Sequence, residues 1–168
     1  YFQAVTSVIS DIKWANILIH GQGCWDTASI MTSLRRSTDK RLIIGAMGAP
    51  VGFGRRLHLN WAKRKLKSLF PVLSDTSLEA FWYGEIAMSK NYIPRIQRLG
   101  AQSYEIFGFS GRGIGPGTLL GTSMAKYLTT DDETYLPMPI TQNYSDRFRL
   151  GKTLFVETAS RAFHFATT

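Results

Sequence analysis

The segment of residues 104–118 constrains the fold of this chain more than any other. A hydrophobic run over residues 104–109 leads into four glycines within seven residues, namely Gly111, Gly113, Gly115 and Gly117. Pro116 stands among them, and proline is favoured at the first helical position because its missing N–H is not needed there. The pattern therefore predicts a strand over residues 103–109, a tight turn, and a helix over residues 116–128.

The glycines of this turn are compatible with two roles. Glycine lets the backbone approach a ligand closely and adopts positive φ without strain. A helix N-terminus after such a turn offers free N–H groups and the positive end of the helix dipole, which suit an anionic or electron-rich ligand atom. The same sequence also suits a tight turn that binds nothing. Within the helix, Gly117, Gly121 and Ala125 recur every four residues and form a thin face that can lie close to another element.

Two common nucleotide-binding motifs are excluded in this segment. A dinucleotide fingerprint requires Gly-x-Gly-x-x-Gly, but the sixth residue counted from Gly111 is Pro116, and counted from Gly113 it is Thr118. A phosphate-binding loop would close with a Lys-Ser or Lys-Thr pair, which is missing here.

The rest of the chain contains more strand patterns than helix patterns. Stretches rich in β-branched and aromatic residues predict strands over residues 5–9, 15–19, 27–34, 41–46 and 77–86. Polar residues 36–40 have the composition of a hairpin turn, and residues 93–96 read as part of an irregular loop. Because short turns join most strands, we expect the α+β class, with a mostly antiparallel or mixed sheet and flanking helices.

The chain is strongly basic, with Lys+Arg 20 against Asp+Glu 12 and a net charge of +8. Six of these basic residues fall within residues 55–67. Around them, helical spacing predicts a helix over residues 55–70 that ends before Pro71 and buries the stripe Leu59, Ala62, Leu66 and Leu69. Such charge runs usually mark a solvated face, and no zinc-finger or RNA-binding strand motif is present, so nucleic-acid binding is not favoured.

Other residue types limit the remaining function classes. No apolar run reaches the roughly 18–20 residues of a membrane span, and the single Cys24 excludes a disulfide framework. We expect a cytoplasmic protein without a metal site.

The three histidines do not cluster in the sequence. We expect His20 and His58 in a turn or on a helix surface, and His164 in a poorly ordered end. Catalytic residues stay unknown.

Residues 108–118 resemble the C-terminal flavin-contacting signature of the D-amino-acid-oxidase-like FAD-dependent oxidoreductases. The similarity is greatest to the γ-glutamylputrescine oxidoreductase branch. It continues upstream through residues 25–27, 31–33, 41–45, 69–71, 82–88 and 93–96. It extends to about residue 139 and is thin beyond.

The resemblance implies a domain organisation and a set of cofactor contacts. Residues 1–100 would be part of a substrate-binding domain, residues 101–130 the C-terminal strand and helix of an FAD-binding domain, and residues 131–168 a tail with a possible helix over residues 153–165. The implied contacts to FAD are Gly111, Arg112, Gly113, Ile114, Gly115 and Thr118. Arg112 has two possible roles, since its charge could support flavin reduction or pair with a carboxylate on the domain face.

The reaction implied by the resemblance is hydride transfer to the flavin from the carbon beside an amine nitrogen, after which water hydrolyses the imine. Trp82, Tyr83 and Ile86 are the implied substrate-binding residues, although core packing is an alternative for the two aromatic residues. Amino-acid oxidases of this family often carry an arginine where Ile86 stands, and its guanidinium binds the substrate carboxylate through two hydrogen bonds. Ile86 therefore predicts a small amine substrate rather than an α-amino acid.

The chain lacks the Gly-x-Gly-x-x-Gly unit that binds the ADP part of FAD in this family. We therefore expect it to be the C-terminal portion of a flavoprotein enzyme, inactive alone, whose partner is the missing N-terminal FAD-binding half. Two alternatives stay open. The chain could be a non-catalytic fragment or split-protein partner of an FAD-binding chain, or a basic nucleic-acid-binding module.

Overall fold

The computed structural model describes residues 1–145 and 148–167. The chain divides into two compact units, one formed by Tyr1–Gly84 with Phe148–Thr168 and the other by Glu85–Arg147. The strands are β1 Phe2–Thr6, β2 Cys24–Trp25, β3 Ser33–Arg36, β4 Leu42–Ala46, β5 Leu78–Tyr83, β6 Arg95–Gly100, β7 Ser103–Phe107 and β8 Ile140–Thr141. The α-helices are α1 Asp11–Trp14, α2 Phe53–Leu69, α3 Ile114–Thr130 and α4 Arg149–Ala166.

The first unit is built on a five-stranded antiparallel sheet in the order β2-β3-β4-β1-β5. Side chains alternate between the two faces of a strand, and in β1 the buried members are Phe2, Ala4 and Thr6. This inner face packs against Trp61, Ala62 and Leu66 of α2, and the core also includes Ile17, Leu34, Leu42, Ile44, Ala46 and Leu73. Gln3 and Val5 lie on the opposite, outer face of the sheet.

The predicted hairpin turn and basic helix are both confirmed. Residues 36–40 connect the antiparallel strands β3 and β4, and the Ser37 N–H donates to the Arg41 carbonyl at 2.9 Å. Helix α2 ends at Leu69, and Pro71 begins a short 3-10 turn.

The buried stripe of α2 differs from the expected one. His58, Trp61, Ala62 and Leu66 are buried, whereas Leu69 is 43% exposed. Ala62 and Leu66 are thus buried as predicted, Leu59 is half-buried against the core, and His58 and Trp61 are buried in addition.

The second unit has a three-stranded sheet in the order β7-β6-β8, in which β6 pairs antiparallel with β7 and parallel with β8. Helix α3 covers this sheet, and Ile96, Leu120, Met124 and Tyr127 form the buried core. The antiparallel and mixed sheets, with four α-helices in the described residues, confirm the α+β class.

Two strand predictions and one loop prediction were wrong. Residues 15–19 are not a strand but follow the short helix α1, which begins after Ser10 with an acidic residue in its first turn, an arrangement that favours a helix. Most of residues 27–34 is a loop, in which the Asp26 carboxylate accepts from the Thr32 N–H at 2.9 Å. The expected loop at residues 93–96 instead leads into β6, which pairs on both sides.

Other boundaries moved by several residues. Strand β1 covers Phe2–Thr6 rather than residues 5–9, and the last helix begins at Arg149 rather than at residue 153.

The domain boundary expected near residue 100 falls between β6 and β7, which are adjacent strands of one sheet, whereas the compact units divide after Gly84. The assignment of the chain to substrate and FAD-binding domains stays a prediction.

None of the helices in the described residues is both long and apolar enough to cross a membrane.

Substitutions of Ile43 and Ile44, which are neighbours in β4, can test which face of the sheet lies against the core. Ile44 is 0% exposed on the inner face, and Ile43 is half-buried on the outer face. We expect Ile44→Ala to lower the free energy of unfolding by about 2–5 kcal/mol, because it leaves a cavity in the core, and Ile43→Ala to lower it by less than half as much. Urea titrations monitored by tryptophan fluorescence measure both values; equal losses would contradict the assignment.

Candidate functional site

The turn between β7 and α3 has the backbone conformation that its glycines predict. Gly108, Ser110 and Gly111 all have positive φ, at 78°, 53° and 85°. Ser110 is not a glycine, and its strained conformation is supported by a hydrogen bond from its hydroxyl to the Gly108 carbonyl at 3.1 Å. The turn is therefore a defined structure and not a loose connection.

A second segment lies alongside this turn. The Ser89 hydroxyl donates to the Ile93 carbonyl at 2.9 Å, and the Ser89 N–H donates to the Ser110 hydroxyl at 3.2 Å. The methyl end of Ile86 (Cδ1) lies 3.8 Å from the position that a Cβ on Gly111 would occupy. The structure thus brings a residue expected to bind substrate next to a residue expected to bind cofactor.

The start of α3 presents free backbone donors. Helix α3 begins at Ile114, two residues earlier than predicted, so Pro116 is its third residue and not its first. Within residues 1–145 and 148–167, the N–H groups of Gly113, Ile114 and Gly115 donate to no backbone carbonyl. These three residues are exposed, so their N–H groups can donate to a ligand at the positive end of the helix dipole.

The glycines at positions 113 and 115 leave an open backbone surface. Apart from the adjoining residues of the chain and the backbone of α3, a Cβ built on either residue would meet no atom of the described residues within 4 Å. Internal packing therefore does not require glycine there, whereas a flat ring approaching the backbone would collide with side chains at these positions. A surface of backbone atoms with outward N–H donors fits the polar edge of a flavin ring.

The side chains of Thr118 and Arg112 differ in whether the described residues already provide them with a polar partner. The Thr118 hydroxyl donates to the Ile114 carbonyl at 2.8 Å, which leaves its oxygen able only to accept a further hydrogen bond. Arg112 is exposed, and its guanidinium forms no ion pair with a carboxylate in the described part of the chain. Its charge is available to a ligand or to another polypeptide.

Trp82 and Tyr83 belong to the edge strand β5 and lie on opposite faces of the sheet. Trp82 is paired with Gln3 on the outer face, and Tyr83 is paired with Phe2, whose side chain is on the inner face. Both aromatic residues are 48% exposed. Because side chains alternate along a strand, one substrate on one face of the sheet can contact only one of them.

The outer face also carries a polar group that the sequence analysis missed. The Gln3 carboxamide packs directly over Gly45 of β4, where any side chain would clash with it. Its Oε1 is buried and accepts no hydrogen bond from the described residues. The signal in the sequence was a glycine inside an otherwise apolar strand, which often marks a close approach of another group.

The prediction for the histidines was wrong in two respects. His58 and His164 are both 0% exposed, and their Nδ1 atoms lie 2.7 Å apart although 106 residues separate them in sequence. Residues 149–166 form an ordered helix that packs on α2 and brings the two rings together. Sequence spacing alone could not reveal this pairing, because it depends on how two distant helices dock.

The basic residues of α2 are divided between solvent and intramolecular contacts. Arg55, Arg56, Lys63 and Lys67 are exposed, as expected for a solvated face. Arg64 donates to the His164 carbonyl at 2.7 Å, and Lys65 forms an ion pair with Asp26 at 3.1 Å.

Comparisons with known proteins gave one sequence relative and one structural neighbour. No model of a known protein family matches the chain. Over 132 residues, which are 79% of this chain and 30% of the relative, it is 24% identical to the probable oxidoreductase OrdL of Haemophilus influenzae. The crystal structure of L-proline dehydrogenase from P. horikoshii overlays with a TM-score of 0.49 and 18% identity, covering 81% of this chain and 38% of that one. The chain is thus weakly similar to a probable oxidoreductase and spans less than half the length of either protein.

The glycine-rich turn can be tested by two substitutions four residues apart. Gly111 has a φ of 85°, so Gly111→Ala should cost about 1–2 kcal/mol of stability in the second unit. Gly115 lies in the first turn of α3 with open space around it, so Gly115→Ala should be neutral or stabilising by up to about 1 kcal/mol. Hydrogen exchange of amides in β7 and α3 measures both effects. Equal stability of the two variants would contradict the positive-φ turn.

Proposed function

We propose that this chain supplies the substrate-domain and flavin-contacting parts of an FAD-dependent oxidoreductase that oxidises the C–N bond of a small amine. The observation that carries the proposal is the turn between β7 and α3, where the N–H groups of Gly113, Ile114 and Gly115 donate to no carbonyl of the described backbone and a Cβ on either glycine would have open space. The sequence similarity to a probable oxidoreductase over 79% of the chain supports the same class of activity. The similarity of residues 108–118 to the γ-glutamylputrescine oxidoreductase branch suggests the amine.

The proposed role of the turn is electrostatic. FAD, when bound, would accept a hydride from the carbon beside the amine nitrogen, and the imine product would then be hydrolysed by water. Donors that are already aimed at a site stabilise negative charge there without reorganisation. The N–H groups at the start of α3 and the exposed Arg112 guanidinium therefore favour a ring edge that becomes more negative.

The proposed substrate preference depends on Ile86. Its side chain is 42% exposed and lies beside Gly111, so it presents an apolar surface at the edge of the proposed cofactor site. An α-carboxylate placed against an isoleucine would lose hydration without gaining a hydrogen bond, which is costly. An uncharged carbon chain beside the amine has no such cost.

Binding of FAD to this chain can be measured by NMR. At millimolar FAD we expect amide shifts concentrated in residues 111–118, with weak affinity, because the groups that would hold the ADP part are absent from this chain. Gly115→Leu should weaken binding by about tenfold or more, since its side chain fills the open surface and removes access to several donors worth about 1 kcal/mol each.

Gly121→Leu is the matched control for this experiment. Gly121 lies in the same helix and is also exposed, and a Cβ added to it would meet no atom within 4 Å. The substitution should leave FAD binding unchanged. Shifts elsewhere in the chain, or equal loss in both variants, would refute the proposed cofactor surface.

The substrate class can be tested in a chimaera in which this chain replaces the matching segment of the Haemophilus influenzae relative. After its flavin content is confirmed, the chimaera should oxidise small primary amines in preference to α-amino acids. Ile86→Arg should move kcat/KM toward α-amino acids by about tenfold to a hundredfold, because a charged hydrogen bond contributes about 1.5–3 kcal/mol.

Ile86→Leu serves as the control, because it preserves the apolar surface and should preserve the amine preference. A flavin-loaded chimaera that carries Ile86 and oxidises α-amino acids but not amines would disprove the proposed substrate.

A further inference from the structure

The contact between α2 and α4 contains two histidines that share one hydrogen bond in the core. The Nδ1 atoms of His58 and His164 lie 2.7 Å apart, and both side chains are 0% exposed. Their surroundings are mostly aromatic. The His164 ring stacks on Trp61 with centroids 4.0 Å apart, and the Phe2 ring lies 5.5 Å from His58 and 6.1 Å from His164. Within the described residues neither Nε2 atom has a hydrogen-bond partner.

This geometry limits the number of protons that the pair can carry. A hydrogen bond between two Nδ1 atoms needs one hydrogen, so in the neutral pair one ring donates and the other accepts. A first added proton can go to the Nε2 of His58, which lies 3.5 Å from the Glu157 carboxylate, and the shared bond is kept. A second proton would place a hydrogen on both Nδ1 atoms, so the hydrogen bond would be replaced by repulsion between two buried cations.

We propose that the His58–His164 pair is a pH-sensitive contact that keeps α4 docked on α2 at neutral pH and releases it when both imidazoles are protonated. Every group involved in this contact belongs to the first unit, whereas the proposed cofactor surface belongs to the second. Release of α4 would expose Phe2 and Trp61, which are 0% and 1% exposed when the helix is docked. Acid would thus uncover an apolar surface under the sheet.

The charges around the pair set the direction of the effect. Burial, together with the positive charges of His58 and Arg64, lowers the pKa of His164 to about 3. Burial also lowers the pKa of His58, and the Glu157 carboxylate opposes this shift only in part. The positive charge of Arg161 of α4 adds to the lowering at His58. Of these neighbours only Glu157 favours the protonated form.

The sign of the pH dependence follows from these shifts. A histidine in the released helix has its ordinary pKa near 6.5, whereas in the docked helix its pKa is lower. The released state therefore binds more protons, and the docked state loses stability as the pH falls below about 6.5. For His164 this loss continues down to a pH of about 3. Each pH unit within this window weakens docking by about tenfold through His164.

Other hydrogen bonds also hold α4 in place, and their positions distinguish local release of α4 from global unfolding. Arg64 donates to the carbonyls of His164 and Thr167 at 2.7 and 3.2 Å, and the Glu157 carboxylate accepts from the Ala49 N–H at 3.0 Å. All of these bonds end on α4 or the residue after it, and none joins the strands of the sheet. Breaking the histidine contact should therefore affect α4 before the sheet.

Hydrogen exchange of the full chain at pH 7 and pH 4.5, corrected for the intrinsic rates, tests the proposal. In the wild type we expect protection of residues 149–166 to fall by about a hundredfold at pH 4.5, two units below the ordinary histidine pKa, while β1 and β4 keep theirs. Unchanged protection of α4, or simultaneous loss in α4 and the sheet, would overturn the proposal.

Two substitutions identify the groups responsible. His164→Asn keeps an amide near the Nδ1 position and removes one titrating ring, so the loss at pH 4.5 should shrink to less than about tenfold. His20→Asn removes an exposed histidine and should behave like the wild type. A full hundredfold loss in His164→Asn would refute the pair as its origin. If His164→Asn fails to dock at pH 7, the wild-type comparison between α4 and the sheet still decides.

Discussion

The pairing of β1 with two partners is the interaction on which the first unit depends. β1 is hydrogen-bonded to β4 on one side and to β5 on the other, and its inner side chains Phe2, Ala4 and Thr6 are all 0% exposed. The Thr6 hydroxyl also accepts from the Leu42 N–H at 3.0 Å, so its buried oxygen is satisfied within the sheet. Because Phe2 contacts Trp61 and both buried histidines, the docking of α2 and α4 depends on the same strand.

The second unit depends in a similar way on one short turn. Positive φ at Gly108 and Gly111 turns the chain from β7 into α3, and the hydrogen bonds of Ser89 and Ser110 join the turn to residues that precede β6. The result is a helix N-terminus at which the N–H groups of Gly113, Ile114 and Gly115 donate to no backbone carbonyl of the described residues. A turn with only a structural role would not need glycine at positions 113 and 115, where a Cβ has open space. This excess of glycine is the physical reason for proposing the turn as a binding surface.

Much of the secondary structure could be predicted from local patterns. Helices α2 and α3 could be predicted from their helical periodicity and from the proline and glycine residues near their ends. The β3–β4 hairpin could be predicted from its polar turn. The errors occurred where local preference was weak. Residues 15–19 have the composition of a strand but follow helix α1, and β6 was missed because its pairing with both β7 and β8 is not visible in its own sequence. For the candidate site, the glycine-rich turn could be inferred from residue types, and its ligand stays a prediction.

By itself the sequence determined the elements whose conformation depends only on residues close together in the chain. These are the glycine turn, the amphipathic basic helix and the hairpin. Only the tertiary structure decided which side chains meet. It placed Ile86 beside Gly111, separated Trp82 from Tyr83 onto opposite faces, and joined His58 to His164 across 106 residues. These contacts depend on strand register and on the docking of distant helices, which are set by the burial of the whole core. Backbone preferences act over a few residues, and they carry no information about which distant surfaces will be packed together.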